Sequence, residues 1–92
     1  MSLRLPLEQY HALCKRVMQR DGYRCKSCGM RSGLSCHHVV FRSHQGEDTM
    51  ENLVTLCECC HKAVHSKRLW IEFDLEVPEV FHFIRKGNWR PK

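Results

Sequence analysis

The chain has 92 residues, a length that fits one small domain whose core is only modestly stable without a metal, a disulfide or a partner. Fifteen Lys and Arg against ten Asp and Glu give a formal net charge of +5, which favours a polyanionic partner. No apolar run is long enough for a signal peptide or a membrane-spanning helix, so we expect a cytoplasmic protein with no membrane partner.

An amphipathic helix is predicted over residues 7–20, because apolar residues recur there at three- and four-residue spacing. Pro6 suits a first helical turn, and Gly22 provides a stop. Arg16 and Arg20 are placed on the outer side of this helix, where charges are more often solvated than bound to DNA.

Two Cys-x-x-Cys pairs form the next feature. The chain has seven cysteines, an odd number that argues against a secreted disulfide scaffold. Cys25 with Cys28, and Cys57 with Cys60, have the spacing of zinc knuckles, and four thiolates complete the tetrahedral shell of a structural zinc ion. Redox-active dithiols are the alternative, but no thioredoxin-like pattern surrounds the pairs. Cys59 competes with Cys60 for the metal, and spacing favours Cys60.

A histidine pair opens the following element. His37 and His38 begin a β-branched and aromatic run through Phe41, which indicates a strand. Adjacent strand side chains point to opposite faces, so the two histidines cannot easily bind the same ion. Cys36, just before the pair, and Cys14 on the helix lack a partner pattern and are predicted to be small core residues.

A second histidine pair lies on a helix predicted over about residues 58–67. His61 and His65 are four residues apart, so a helix places both on one face, where two imidazoles can bind one cation. A polar loop that contains Gly46 and a returning strand over residues 53–56 precede this helix. The order is therefore β, β, α, with three histidines for a metal and one left as a base.

These residues resemble the HNH nuclease family in its His-His form. His37 and His38 are similar to the family's histidine pair, and Asn52 is similar to its central Asn. His61 and His65 are similar to its helix-borne histidines. A pattern of this many parts is hard to meet by chance. The resemblance implies an α+β fold with a ββα-metal core and a structural zinc site of four cysteines.

The resemblance also implies a single HNH nuclease domain over residues 1–92. Its parts are the helix at about 7–20, the zinc knuckles and core at about 23–68, and a C-terminal extension at 69–92. In that extension Trp70 begins an apolar run that predicts a strand or a strap, and Pro78 begins a possible short helix. The later aromatic residues are expected to pack rather than to stack on bases. They are Phe81, Phe83 and Trp89.

The activity that the resemblance implies is metal-dependent hydrolysis of phosphodiester bonds. This reaction needs an aimed water, a base and positive charge near the oxygens that gain negative charge. His38 is assigned as general base, because an imidazole pKa near ~6.5 suits neutral pH. The divalent ion is assigned to His37, His61 and His65. Asn52 is assigned to fix the loop and orient the base through hydrogen bonds.

Several choices stay open at this point. All-nitrogen ligation shifts affinity from Mg²⁺ toward Ni²⁺, Co²⁺ or Zn²⁺, and Mn²⁺ is a further candidate. Arg42 and Lys62 are assigned to DNA phosphates, with an ordinary loop arginine and a solvated lysine as the alternatives. We expect nicking of DNA with low sequence specificity, by a monomer or a weak homodimer. The alternatives are a non-catalytic zinc-stapled DNA-binding module and an RNA-directed nuclease.

Overall fold

Two antiparallel hairpins and two α-helices make up the part of the chain that the structure, a computed structural model, describes, which is residues 3–91. The α+β class and the β, β, α order of the core are confirmed. No helix in this range is long and apolar enough to cross a bilayer. The elements are α1 (Leu7–Arg20), β1 (Leu34–His38), two short 3-10 turns (Arg42–His44 and Met50–Asn52), β2 (Leu53–Cys57), α2 (Glu58–His65), β3 (Leu69–Phe73) and β4 (Phe81–Arg85).

The strand β2 lies at the centre of the fold, and all five of its residues are buried. Its alternating side chains enter two clusters. Val54 and Leu56 pack with Ala63 of α2 in one cluster, and Leu53 packs with Val17 of α1 in the other. Each fully buried aliphatic side chain of this kind contributes about 1.5–3 kcal/mol. The two helices therefore hold β2, and with it the paired strand β1, from opposite sides.

The strand β1 ends earlier than the sequence predicts. The expected strand ran from the histidine pair through Phe41, whereas the histidines are the last two residues of β1. The side chain of Asn52 explains the difference, because its Oδ1 accepts the Val40 N–H at 2.8 Å and its Nδ2 donates to the Val40 carbonyl at 3.0 Å. Gly46 packs against the same carbonyl, where a Cβ would lie 1.7 Å from the oxygen. These contacts turn the backbone despite its β-branched residues.

The C-terminal extension forms a hairpin, so the short helix expected from Pro78 is wrong. Residues 81–85 form β4, which pairs antiparallel with β3, and their aromatic residues alternate with polar ones as a strand requires. Phe81, Phe83 and Trp89 pack against the larger core cluster, which confirms packing over base stacking for these three.

Arg20 points inward, which corrects its predicted place on the solvated side of α1. Its guanidinium donates to the carbonyls of Met50 at 2.7 Å and Leu53 at 2.6 Å, and it pairs with Asp21 at 2.8 Å. The buried Asp21 carboxylate in turn accepts the Thr55 N–H at 2.9 Å. The end of α1 is thus bonded to β2 and to the turn before it.

We expect Asp21→Ala to lower the free energy of unfolding by about 1–3 kcal/mol. The substitution removes the acceptor of the buried Thr55 N–H and the carboxylate partner of the Arg20 guanidinium. Urea denaturation followed by circular dichroism measures the change. The control is Arg16→Ala on the exposed side of the same helix, for which we expect a change within about 0.5 kcal/mol. Equal effects of the two substitutions would contradict this role for Asp21.

Candidate active site

Four thiols meet where the first Cys-x-x-Cys turn contacts the start of α2. The sulfur atoms of Cys25, Cys28, Cys57 and Cys60 all lie within 4.8 Å of one another, and those of Cys28 and Cys57 are 3.6 Å apart. Cys57 caps α2, since its sulfur accepts the Cys60 N–H at 3.4 Å. Four clustered thiols are the donor set of a structural zinc site, so these residues fit the ion that the sequence predicts.

The remaining cysteines lie outside this cluster. Cys59 is half-buried and lines a different, open cavity, so the structure brings Cys60 and not its neighbour to the other three thiols. Cys36 packs on the α1 side of β2, as predicted, and burial raises the pKa of its thiol. Cys14 is half-buried beside it.

Three histidines converge between β1 and α2. His37, His61 and His65 each bring a ring nitrogen to within 4.8 Å of the others. The Nε2 atoms of His61 and His65 are 3.0 Å apart, and the His37 ring centroid lies 5.0 Å from that of His61. The four-residue spacing on α2 therefore produces the shared face that the sequence predicts, and β1 adds the third imidazole.

Burial disfavours the protonated form of two of these imidazoles, His37 and His61. His37 is 3% exposed, and burial, reinforced by repulsion from His61 and His65, lowers its pKa to about 3. Burial also lowers the pKa of His61. The buried Nε2 of His37 has no hydrogen-bond partner among the described residues, which is costly unless a ligand completes it. Neutral imidazoles with free lone pairs fit a divalent cation of the borderline class.

Phe41 contacts two of the three clustered histidines (His37, His61 and His65, hereafter the triad), although sequence reasoning did not assign it to the site. Its ring meets the His37 ring edge-on, at 5.8 Å and 87°, and stacks on the His65 ring at 5.3 Å and 19°. An aromatic residue just after a strand is usually a core residue, so no sequence signal separates this role from packing.

His38 lies on the other face of β1 and has a different set of partners. Its Nε2 is 2.8 Å from Asp48 Oδ1, and its ring stacks on Tyr10 at 5.8 Å and 6°. A carboxylate can only accept, so we assign the ring proton to Nε2 and the lone pair to Nδ1. His38 nevertheless lines the same open cavity of about 290 Å³ as the triad.

Asp48 is a functional candidate that the sequence analysis does not identify, because it lies in the polar loop that contains Gly46. Its buried carboxylate also accepts the Leu5 N–H at 3.0 Å and pairs with Arg42 at 2.9 Å. Burial by itself would raise the pKa of Asp48, but hydrogen bonds from Leu5, His38 and Arg42 outweigh it and lower the pKa to about 2. Asp48 is therefore a fixed negative charge behind His38.

Arg42 lines the histidine cavity and covers the Tyr10 ring, with its guanidinium carbon 4.6 Å from the ring centroid. Its side chain stays 44% exposed although it pairs with Asp48. Asn52 bonds to the backbone of the loop, at Val40 and at the Glu47 carbonyl at 2.9 Å. It thus holds the chain between His38 and Asp48 in place.

Lys62 is not brought to the histidine cavity. Its ammonium pairs with Glu58 at 3.0 Å on an exposed face of α2, and both residues line another cavity. The exposure of this i,i+4 pair means that it contributes little to stability.

Comparison with known proteins gives the family. A model of the HNH endonuclease family matches residues 25–67, which include both Cys-x-x-Cys pairs and all four histidines described above. This chain belongs to the HNH endonuclease family. It is 32% identical over 73 residues to anaredoxin of Nostoc sp., an alignment that covers 78% of this chain and 95% of that protein.

A second relative is the type IV methyl-directed restriction enzyme EcoKMcrA of Escherichia coli, 33% identical over 58 residues. The alignment covers 53% of this chain but only 21% of that enzyme. No solved structure matches the chain.

We expect Cys60→Ser to remove tightly bound zinc and to unfold the domain, because zinc binding at such a site is coupled to folding. Zinc released on denaturation and the far-ultraviolet circular dichroism spectrum measure the two effects. The matched control is Cys59→Ser, one residue away and outside the thiol cluster, which should keep both the zinc and the fold. Zinc retained by Cys60→Ser would refute the site.

Proposed function

We propose that the chain is a metal-dependent endonuclease that hydrolyses DNA phosphodiester bonds, nicking with low sequence specificity. The observation that carries the proposal is the division of the histidines at the end of β1. Three imidazoles converge on one side, and His38, held by a buried carboxylate, lines the same cavity from the other.

His38 has the properties of a general base. With its Nε2–H donated to Asp48, the Nδ1 lone pair is left to take a proton from the attacking water. The Asp48 carboxylate then stabilises the imidazolium that forms and keeps the ring in its orientation. The Tyr10 ring stacks on one face of the imidazole. Because His38 is bonded to Asp48, it stays apart from the three imidazoles.

His37, His61 and His65 would hold the divalent cation. When bound, the ion supplies Lewis-acid stabilisation of the negative charge that develops on the phosphate oxygens. The protein's own contribution is to disfavour protonation of His37 and His61 through burial. Contact with the Phe41 ring holds His37 and His65 in place. The donor set favours Zn²⁺, Ni²⁺ or Co²⁺ over Mg²⁺, and Mn²⁺ is a further candidate.

DNA as the substrate is supported by charge and by family. The formal net charge is +5, and the exposed part of the Arg42 guanidinium faces the cavity in which a phosphate would lie. Lys62, which lines a different cavity, would reach only a flanking phosphate. The E. coli relative is a restriction enzyme by name, and HNH family membership points the same way. The open cavity offers few groups to read a base, which supports low specificity.

The first test is plasmid nicking by the zinc-loaded protein with Mg²⁺, Mn²⁺, Ni²⁺, Co²⁺ and added Zn²⁺ in turn. We expect His38→Ala to lower the rate by about 10²- to 10⁴-fold, the usual contribution of a general base, without loss of bound zinc. The control is His82→Ala, an exposed histidine on β4, which should cut at the wild-type rate.

Full activity in folded, zinc-loaded His38→Ala would contradict the base assignment. Labelled RNA of the same sequence serves as a second substrate, and cleavage of RNA without cleavage of DNA would contradict the choice of substrate.

The second test separates positioning by Asp48 from a purely structural role. We expect Asp48→Asn to lower kcat by at least about tenfold, and by no more than the loss of the general base itself, about 10²- to 10⁴-fold, while KM changes little. In a His38→Ala background, the same substitution should lower kcat no further, because Asp48 acts through His38. An additional loss in the double variant would contradict a role through His38 alone and would show that Asp48 also acts through Arg42 or through the fold.

A further inference from the structure

A second cleft opens beside the histidine cavity. Its volume is about 410 Å³, within the range of clefts that hold small ligands, and it lies between the loop after β1, the end of α2 and the strand β3. Phe41 and His65 line both cavities. A ligand in this cleft would therefore contact a residue of the triad and the ring that supports it.

Mostly apolar residues line the cleft, and one of them is the half-exposed aromatic residue Trp70. Trp70 is 49% exposed, although its neighbour Leu69 on β3 is fully buried. Val40 on the opposite wall is 37% exposed. A flat indole that is open to solvent beside a phosphodiester site is suited to stack on another flat ring.

Basic groups flank this apolar surface. Lys67 lines the cleft, and its backbone lies in the left-handed region at φ 62°, directly after α2. The Lys86 ammonium lies 5.2 Å from the centroid of the Trp70 ring. Lys86 is not among the residues that line the cleft, so a ligand there would contact indole atoms that the ammonium leaves open. An apolar slot with a cationic rim is complementary to a nucleotide, whose base is flat and whose phosphate is anionic.

We propose that this cleft binds the unpaired base of the nucleotide next to the scissile phosphate, by stacking on Trp70. The proposal rests on the nuclease function and gives that site a substrate preference. A base inside a duplex is stacked on both faces and has no free face to offer the indole. Single-stranded, frayed or mismatched DNA is therefore the preferred substrate, and the bases are bound without reading their hydrogen-bonding edges.

The test compares a labelled single-stranded oligonucleotide with the same strand carrying one abasic nucleotide. Wild type should cut the linkages that flank the abasic position more slowly than distant linkages on the same strand. Trp70→Ala should cut all linkages alike, and more slowly than wild type cuts the intact strand. The expected weakening of Kd for the intact strand is roughly 5- to 150-fold, the range for removal of a base-stacking aromatic ring.

Two further variants serve as controls. Trp70→Phe keeps a stacking ring and should retain most of the affinity, and Leu75→Ala, a fully exposed residue beyond β3, should not change it. Anisotropy of the labelled strand, measured with the His38→Ala protein so that nothing is cut, reports binding independently of cleavage. Bound zinc and circular dichroism verify that each variant is folded.

Wild-type affinity of Trp70→Ala for the intact strand would overturn the subsite. So would a Trp70→Ala protein that still cuts the linkages flanking the abasic position more slowly than the distant ones. Equal Trp70 dependence on a duplex and on a single strand would overturn the preference for unpaired bases. If wild type cuts no DNA with any metal while Trp70-dependent binding persists, the nuclease proposal fails and the stacking surface stands.

Discussion

The alternation of side chains along a strand is the constraint on which the site depends. His37 and His38 are neighbours in the chain, yet one is buried with two histidines of α2 and the other contacts Asp48 and Tyr10. A shift of one residue in the pairing of β1 with β2 would exchange these roles. The wholly buried strand β2 prevents that shift, because its side chains already fill clusters on both faces.

Two groups of polar side chains, one at each helix, hold the small core together. The thiol cluster joins the first Cys-x-x-Cys turn to the start of α2, so the helix that carries His61 and His65 is anchored at its first turn. On the α1 side, Arg20 and Asp21 supply the corresponding link through buried hydrogen bonds. A domain of this size has few apolar residues to spare, and these polar links replace part of the core that a larger protein would have.

Much of the fold could be predicted because it depends on the spacing of residues within short segments of the sequence. The Cys-x-x-Cys pairs, the i,i+4 histidines and the apolar period of α1 are all readable in short windows of sequence. The inward turn of Arg20, the Asp48 contact with His38 and the early end of β1 at Asn52 could not be predicted, since each is a side-chain hydrogen bond to a distant segment. No periodic pattern records such bonds.

Asp48 also ties the site to the first described residues of the chain. Its N–H donates to the Leu3 carbonyl at 2.9 Å, and its carboxylate accepts the Leu5 N–H. The segment before α1 thus bonds to the carboxylate that contacts His38, two hydrogen bonds away from the ring. Tags, fusions or trimming at this end of the polypeptide would therefore disturb the contact between Asp48 and His38, and an expression design that leaves residues 3–5 free to bond preserves it.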